Sequence, residues 1–389
     1  MKKQVSYKRM VITSLISAFV AILLVITLII LLMGRLAPAY FKIAEIDALV
    51  RSQYINDVSL DELDDALSNE YLSVLQDDYA AYYSVEEANK KFDSFGGNKA
   101  GMGISIIVSP QSNSFYIKRV MDGSPAAIAE LKAGDSIVAV GDIKINSENY
   151  EECYDMLLGN VGDEIDITIL RNGKELNKKI VLDNYVIQSV FSEKIGDYGY
   201  IEITTFNDRT VEQFINCVDD FIKNGAKGLI FDLSDNSGGT LDSVIGMVDY
   251  IAPEGDIVSV EYNDGKRKVI ARSDEKEINI PMAVIISNST ASAAELFAAS
   301  IRDFEKGIVI GETSYGKGVM QTTYRLHDKS AVRFTVAKYF SKSGVSYNNI
   351  GIVPDIEVKL TNKERYELNF TELKDNPNII KAVEYLNEK

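Results

Sequence analysis

The chain has 389 residues, 46% hydrophobic and 25% charged. That is the make-up of an ordinary globular protein of two or three domains, and it excludes disordered and collagen-like chains. The net charge of −16 is uneven: the only charges before residue 36 are Lys2, Lys3, Lys8, Arg9 and Arg35, and the acidic remainder repels a phosphate backbone, which argues against nucleic acid as a partner. Two cysteines, Cys153 and Cys217, and one histidine, His327, cannot build the usual zinc site, and any imidazole chemistry would have to use His327.

Val11 to Met33 runs for 23 residues without a charge. As a helix it spans about 30 Å of hydrocarbon, longer than a signal-peptide core of about 7–15 residues, although Ala37-Pro38-Ala39 imitates a cleavage site. Basic residues just before it hold a tail, 1–10, in the cytoplasm. The expectation is a single-pass anchor, 11–33, in the lipid of the cell membrane, with everything from about Ala37 on the extracytoplasmic side.

Residues 41–97 carry helical periodicity, as in Ile43, Ile46, Leu49 and Val50 and later Leu60, Leu63 and Leu67, up to the Gly96-Gly97 break. Such a helical segment either covers a core or pairs two copies into a homo-oligomer. Residues 98–186 change to short strands, Ile104–Val108, Phe115–Val120, Ser136–Val140 and Ile165–Leu170, with one helix at Glu148–Leu158. Over 187–360 strands and helices alternate: Tyr198–Phe206, Thr210–Ile222, Gly228–Leu233, Ser243–Ile251, Met282–Ser287, Ser292–Phe304 and Gly307–Ile310. Alternation of this kind predicts an α/β core with a mainly parallel sheet. Gln321–Leu326 and Ala331–Phe340 read as a hairpin whose turn places His327 in solvent, and 361–389 reads as a helical tail.

Three segments of the core carry chemistry. Phe231 to Gly239 is a strand ending in a two-glycine turn, which frees backbone N–H groups to face a ligand or is simply a strand-to-helix turn. Ser287 to Glu295 runs from a strand through small residues into a helix, so Ser292 is either a plain N-cap or a nucleophile with helix N–H donors beside its oxyanion. Gly311 to Gly318 nearly matches a phosphate loop, but Gly318 stands where a hydroxyl should hold magnesium, and a strand pattern follows instead of a helix. Lys317, between two glycines, reads instead as an amine that burial brings toward neutrality. A serine, an amine base and backbone donors, without a histidine, are the inventory of a Ser-Lys acyl-transfer enzyme.

In this order the motifs resemble the C-terminal processing (tail-specific) serine peptidases with a PDZ domain, over nearly the whole chain after the anchor. The family's S-A-S-A-S-E segment corresponds to Thr290-Ala291-Ser292-Ala293-Ala294-Glu295 and its G-K-G-x-x-Q to Gly316-Lys317-Gly318-Val319-Met320-Gln321. The resemblance implies Ser292 as nucleophile, Lys317 as base, Gln321 orienting the lysine, and oxyanion donors from Gly238, with Gly239 as the neighbouring possibility, and Ala293. Its N-P-G-G turn is Asn236-Ser237-Gly238-Gly239 here, without the proline, and Ser289 and Thr290 add hydroxyls before the nucleophile. Residues 98–186 resemble the PDZ domain, whose carboxylate-binding loop maps to Gly101-Met102-Gly103-Ile104.

The implied activity is a membrane-anchored serine endopeptidase that cleaves proteins near or from their C-termini, needs no cofactor and no metal, and takes protein or peptide substrates with a free C-terminus. Two rivals stand beside it. One is a non-catalytic PDZ peptide-binding scaffold at the cell surface, which need not retain both Ser292 and Lys317. The other is a small-acyl hydrolase, for which a peptide-capture domain has no use.

Overall fold

The computed structural model describes residues 7–389; Lys2 and Lys3 of the expected 1–10 tail lie outside the described residues. The chain divides into two compact units at Tyr71 and Leu72.

The first unit is helical. Tyr7–Met33 is one continuous helix, and its stretch Arg9–Leu28 is long and apolar enough to cross a membrane. Two of its hydroxyls are satisfied within the helix, since Thr13 and Thr27 donate to the carbonyls of Arg9 and Leu23 at 2.6 and 2.8 Å. A short 3-10 turn, Gly34–Leu36, precedes the helix Ala37–Gln53, which has proline in its first turn where no N–H is needed. Helix Leu60–Ser73 follows and runs across the boundary.

The second unit opens with a departure from the expected helical segment 41–97. Ala81–Tyr83 is a strand, paired antiparallel with Ala331–Arg333, before the chain resumes as helix Val85–Phe95. Three residues carry no readable period, and the partner lies about 250 residues away.

The strand-rich part is an antiparallel sheet ordered Ile104–Ser109, Ser114–Val120, Ser136–Val140, Glu164–Arg171 and Lys174–Val181, with Ile143–Lys144 on the third strand. Phe115, Ile117, Ile137, Ile167, Ile169 and Ile180 fill its core beneath the helix Tyr150–Asp155, which buries Cys153. It docks on the rest of the unit through Arg119, which pairs with Glu202 and lies 4.2 Å over the Phe191 ring, and through Tyr116 against Phe370 at 5.0 Å.

The larger part is built on a six-stranded sheet, ordered Val190–Ile195, Tyr198–Ile203, Gly228–Asp232, Met282–Ile286, Gly307–Gly311 and Ile356–Glu357. Only its first pair is antiparallel. Gly228–Asp232 and Met282–Ile286 are buried at every position, which is why they read as unbroken apolar runs. Helices Thr210–Lys223, Leu241–Ile251 and Ala293–Asp303 cover one face around Phe206, Phe214, Phe231 and Phe297. The C-terminal helix Pro377–Asn387 covers the other with Ile379, Ala382 and Leu386. The expectation of a mainly parallel sheet therefore holds only for this layer. A second sheet, of Ala81–Tyr83, Ala331–Phe340, Gly255–Glu261, Arg267–Ser273 and Val319–Arg325, is antiparallel throughout.

Candidate active site

Three neighbouring parallel strands place the site. Gly228–Asp232, Met282–Ile286 and Gly307–Gly311 lie side by side in register, so the segments leaving their carboxyl ends emerge on one edge, where open α/β sheets bind ligands. The first strand leads into the glycine turn, the second into Ser292 and the third into the loop of Lys317. All three meet in a cleft of about 710 Å³ lined by Gly238, Gly239, Ser292, Ala293, Lys317 and Gln321. Every expected catalytic residue is thus in one place.

Ser292 occupies the N-cap position of helix Ala293–Asp303 but has φ +59° and ψ −122°. An ordinary cap is extended, with negative φ. A non-glycine residue in this region is strained, and such strain concentrates where a side chain must be aimed at a reacting group, as at a strand-to-helix nucleophile turn. The turn is locked from below. Thr290 donates its hydroxyl to Leu233 O at 2.7 Å and accepts from Ser287 N–H at 2.9 Å, so its hydroxyl is spent as a buried brace. Ser289 is exposed and does not line the cleft.

The glycine turn is fitted against Ser292. A Cβ on Gly238, whose φ is +105°, would lie 2.8 Å from Ala291 O and 2.9 Å from Ser292 Cβ. Asn236 is fully buried; its side-chain amide donates to Ile203 O and its Oδ1 accepts Gly238 N–H, both at 2.8 Å. Gly238, expected as the first oxyanion donor, has therefore already spent its N–H. The N–H groups of Gly239 and Ala293 have no acceptor among the described residues, and both residues line the cleft.

Lys317 is half-buried, with Nζ 4.2 Å over the ring of Tyr79. Desolvation holds its ammonium below the ordinary lysine range, helped by the cations Arg333 and Lys91 and opposed by Asp77 and Glu295. No hydrogen bond joins Nζ to Ser292 Oγ; such contacts tighten only when substrate binds. Desolvation also pushes the Tyr79 phenol up to about 12, with Tyr315 beside it contributing. Tyr339, fully buried beneath the loop, donates its hydroxyl to Lys317 O at 2.6 Å.

Gln321 does not contact the lysine amine. Its amide donates to Thr335 Oγ1 at 3.1 Å and to Val319 O at 3.3 Å. Thr335 donates its own hydroxyl to Asp77 Oδ1 at 3.0 Å, and Asp77 also accepts the N–H groups of Thr335 and Tyr79. The contacts of Gln321 thus run through Thr335 to Asp77 and do not reach the lysine amine.

Glu295 went unassigned in the sequence reading, although it stands in the nucleophile motif. Its side chain is fully buried. Oε2 accepts the N–H groups of Ser292 and Lys317, and Oε1 accepts the Ser314 hydroxyl and Gly316 N–H. A carboxylate three residues past a helix-opening serine is the readable signal, but three of its four partners come from the next loop. His327 is exposed in the hairpin turn, away from the cleft. No cluster of metal-ligating side chains occurs among the described residues.

The Gly101-Met102-Gly103-Ile104 loop lines a separate groove of about 510 Å³, walled by Ile106, Tyr154, Leu157 and Leu158 and flanked by Lys90 and Lys99. Met102 and Gly103 N–H groups have no acceptor among the described residues. Gly103 has φ +77°, and a Cβ there would fall 2.2 Å from Ser124 Cβ, so only glycine fits.

Comparison with known proteins agrees with this layout. Residues 197–358 match peptidase family S41 and residues 100–182 match a PDZ domain. The carboxy-terminal-processing protease of Bartonella bacilliformis is 33% identical over 341 residues, covering 84% of this chain and 76% of that protein. The carboxy-terminal processing protease CtpA of Bacillus subtilis is 30% identical over 314 residues, covering 80% and 67%. This chain belongs to the carboxy-terminal processing proteases of family S41. An S41 protease structure from Bacteroides fragilis, 16% identical, shares the fold with a TM-score of 0.58 over 86% of this chain and 98% of that one.

Proposed function

We propose that this S41 member is a membrane-anchored serine endopeptidase that cleaves protein substrates near their C-termini on the extracytoplasmic side. The observation that carries the reading is the strained Ser292, opening a helix in the same cleft as a half-buried Lys317, with one carboxylate fastened to both backbones. Ser292 Oγ attacks the scissile carbonyl while the neutral amine of Lys317, leaving the Tyr79 ring, takes its proton and later returns one to the leaving amine. The N–H groups of Gly239 and Ala293 receive the oxyanion; one such donor is typically worth about 3–4 kcal/mol. Gly238 supports them by letting the two turns approach. The substrate's terminal carboxylate is held by the loop 101–104 as the peptide adds beside strand Ile104–Ser109.

In domain terms the reading assigns 11–33 to the anchor, 98–186 to the PDZ domain and 187–360 to the peptidase core. A fluorophosphonate probe should label Ser292 and no other serine, and Ser292→Ala and Lys317→Ala should each lose hydrolysis of an unfolded protein substrate while remaining folded. Near-normal turnover by Ser292→Ala sinks the assignment. Protease added outside intact spheroplasts should digest residues 100–389; protection of that region would reverse the orientation.

A further inference from the structure

The cleft holds three cations in a protein that is strongly acidic overall. Lys91 comes from helix Val85–Phe95, Arg333 from strand Ala331–Phe340 and Lys317 from the catalytic loop, and all three line the same cavity. None has a carboxylate ion-pair partner among the described residues. Lys91 Nζ lies 5.1 Å over the Phe95 ring; Arg333 Nε donates to Tyr79 O at 3.0 Å, and its guanidinium sits 5.5 Å over Tyr83. Like charges held together in a half-buried cleft without direct ion pairs are costly, and a neighbouring cation is one way an amine is brought to give up its proton.

We propose that Lys91 and Arg333 are positioning residues of the catalytic site, two cations on separate elements that line the cleft with Lys317 and bias its amine toward the neutral, proton-accepting form. The proposal rests on Lys317 acting as the base. Two carboxylates oppose these cations: Asp77 and Glu295 favour the ammonium, and Asp77 also feels Arg333. Both are held by hydrogen bonds, three to Asp77 and four to Glu295, and act on the amine less strongly than the two cations do. Tyr79 and Tyr339 are held neutral by burial. Desolvation first, then the field of Arg333 and Lys91, lowers Lys317, and desolvation together with Arg333 lowers Lys91 in turn. Arginine cannot release its proton in this range, so Arg333 is the permanent member of the set.

The sign follows directly. Removing either cation eases protonation of Lys317, so the rising limb of the rate–pH profile should move to higher pH, by several tenths of a unit to about one unit, while the plateau rate is retained. Hydrolysis of an unfolded protein substrate would be followed across pH for wild type, Lys91→Met, Lys91→Arg, Arg333→Gln and Arg333→Lys. The charge-removing variants should shift the midpoint and the charge-keeping ones should hold it. Arg333→Gln also loses the bond to Tyr79 O, so Lys91→Met, which gives up only a ring contact, keeps the test open if that variant fails to fold. An unmoved midpoint in Lys91→Met, or a lower plateau without a shift, overturns the inference. A flat wild-type profile, or an active Lys317→Ala, overturns instead the assignment of the base on which it rests.

Discussion

Ser292 and Lys317 donate their backbone N–H groups to the same atom, Oε2 of Glu295, each at 2.8 Å. The two proposed catalytic residues are 25 positions apart on different loops, yet one buried carboxylate sets the separation of their backbones. A buried anion is tolerable only when its lone pairs are filled, and here backbone donors and a hydroxyl fill both oxygens.

Glu295→Gln should therefore cost both stability and turnover. An amide can accept on one atom only, so one pair of donors would face its NH2 group. Buried hydrogen bonds to a charged acceptor are worth about 1.5–3 kcal/mol each. We expect a clear drop in melting temperature and a fall in kcat larger than any rise in KM. A variant with normal kcat and a lowered melting temperature would show the carboxylate to be structural only.

Much of this was legible beforehand. The fully buried strands Gly228–Asp232 and Met282–Ile286 announced themselves as apolar runs, and the turns that follow them carried the site. What escaped was long-range. Gly255–Glu261 and Arg267–Ser273 form an antiparallel pair whose second strand is mostly exposed, with Arg267, Lys268 and Arg272 among its seven residues, so neither a long apolar run nor clean alternation marked it. Asp77 meets Thr335 across 258 residues, and nothing local in Asp77-Asp78-Tyr79 predicts a segment that packs a ring against the Lys317 amine. Gly238 illustrates a third kind of gap: the motif pointed to its N–H, whereas Asn236 takes that donor and leaves Gly238 a steric role.

That steric role gives a direct test. Gly238→Ala would press a methyl against Ala291 O and Ser292 Cβ and force an L-residue to φ +105°. The nucleophile turn must move, and a displacement of about 1 Å at a reacting atom can cost about 100-fold in rate. Probe labelling of Ser292 should slow in parallel with peptide hydrolysis. Unchanged labelling would mean that the turn absorbs the methyl and that Gly238 is not what holds Ser292 in place.

Stability should carry the imprint of the base. The folded protein lowers Lys317 below its unfolded value, chiefly by desolvation, so between the two values the unfolded chain binds more protons and stability rises with pH. At neutral pH the ammonium is a liability, and Lys317→Met should melt higher than wild type. The advantage should shrink as pH approaches the free-lysine range. Thermal melts of both proteins from pH 6 to pH 10 would show this; a constant difference would mean that the folded and unfolded lysines titrate alike.

Substrate capture supplies the last prediction. The N–H groups of Met102 and Gly103 have no acceptor among the described residues, and they stand at the end of a groove walled by Ile106, Leu157 and Leu158 and flanked by Lys90 and Lys99. That arrangement suits a terminal carboxylate followed inward by an apolar side chain. Substrates ending in an apolar residue with a free carboxylate should be processed faster than the same sequences ending in Asp or in an amide. Losing a charged hydrogen bond of about 1.5–3 kcal/mol corresponds to roughly tenfold or more in affinity. Gly103→Val should reproduce the loss on the free-acid substrate, because its side chain collides with Ser124, and should erase the difference between acid and amide. Cleavage of matched substrates by wild type and Gly103→Val, with a circular-dichroism check on folding, decides the matter: equal rates for acid and amide in the wild type would leave this groove without a part in choosing substrates.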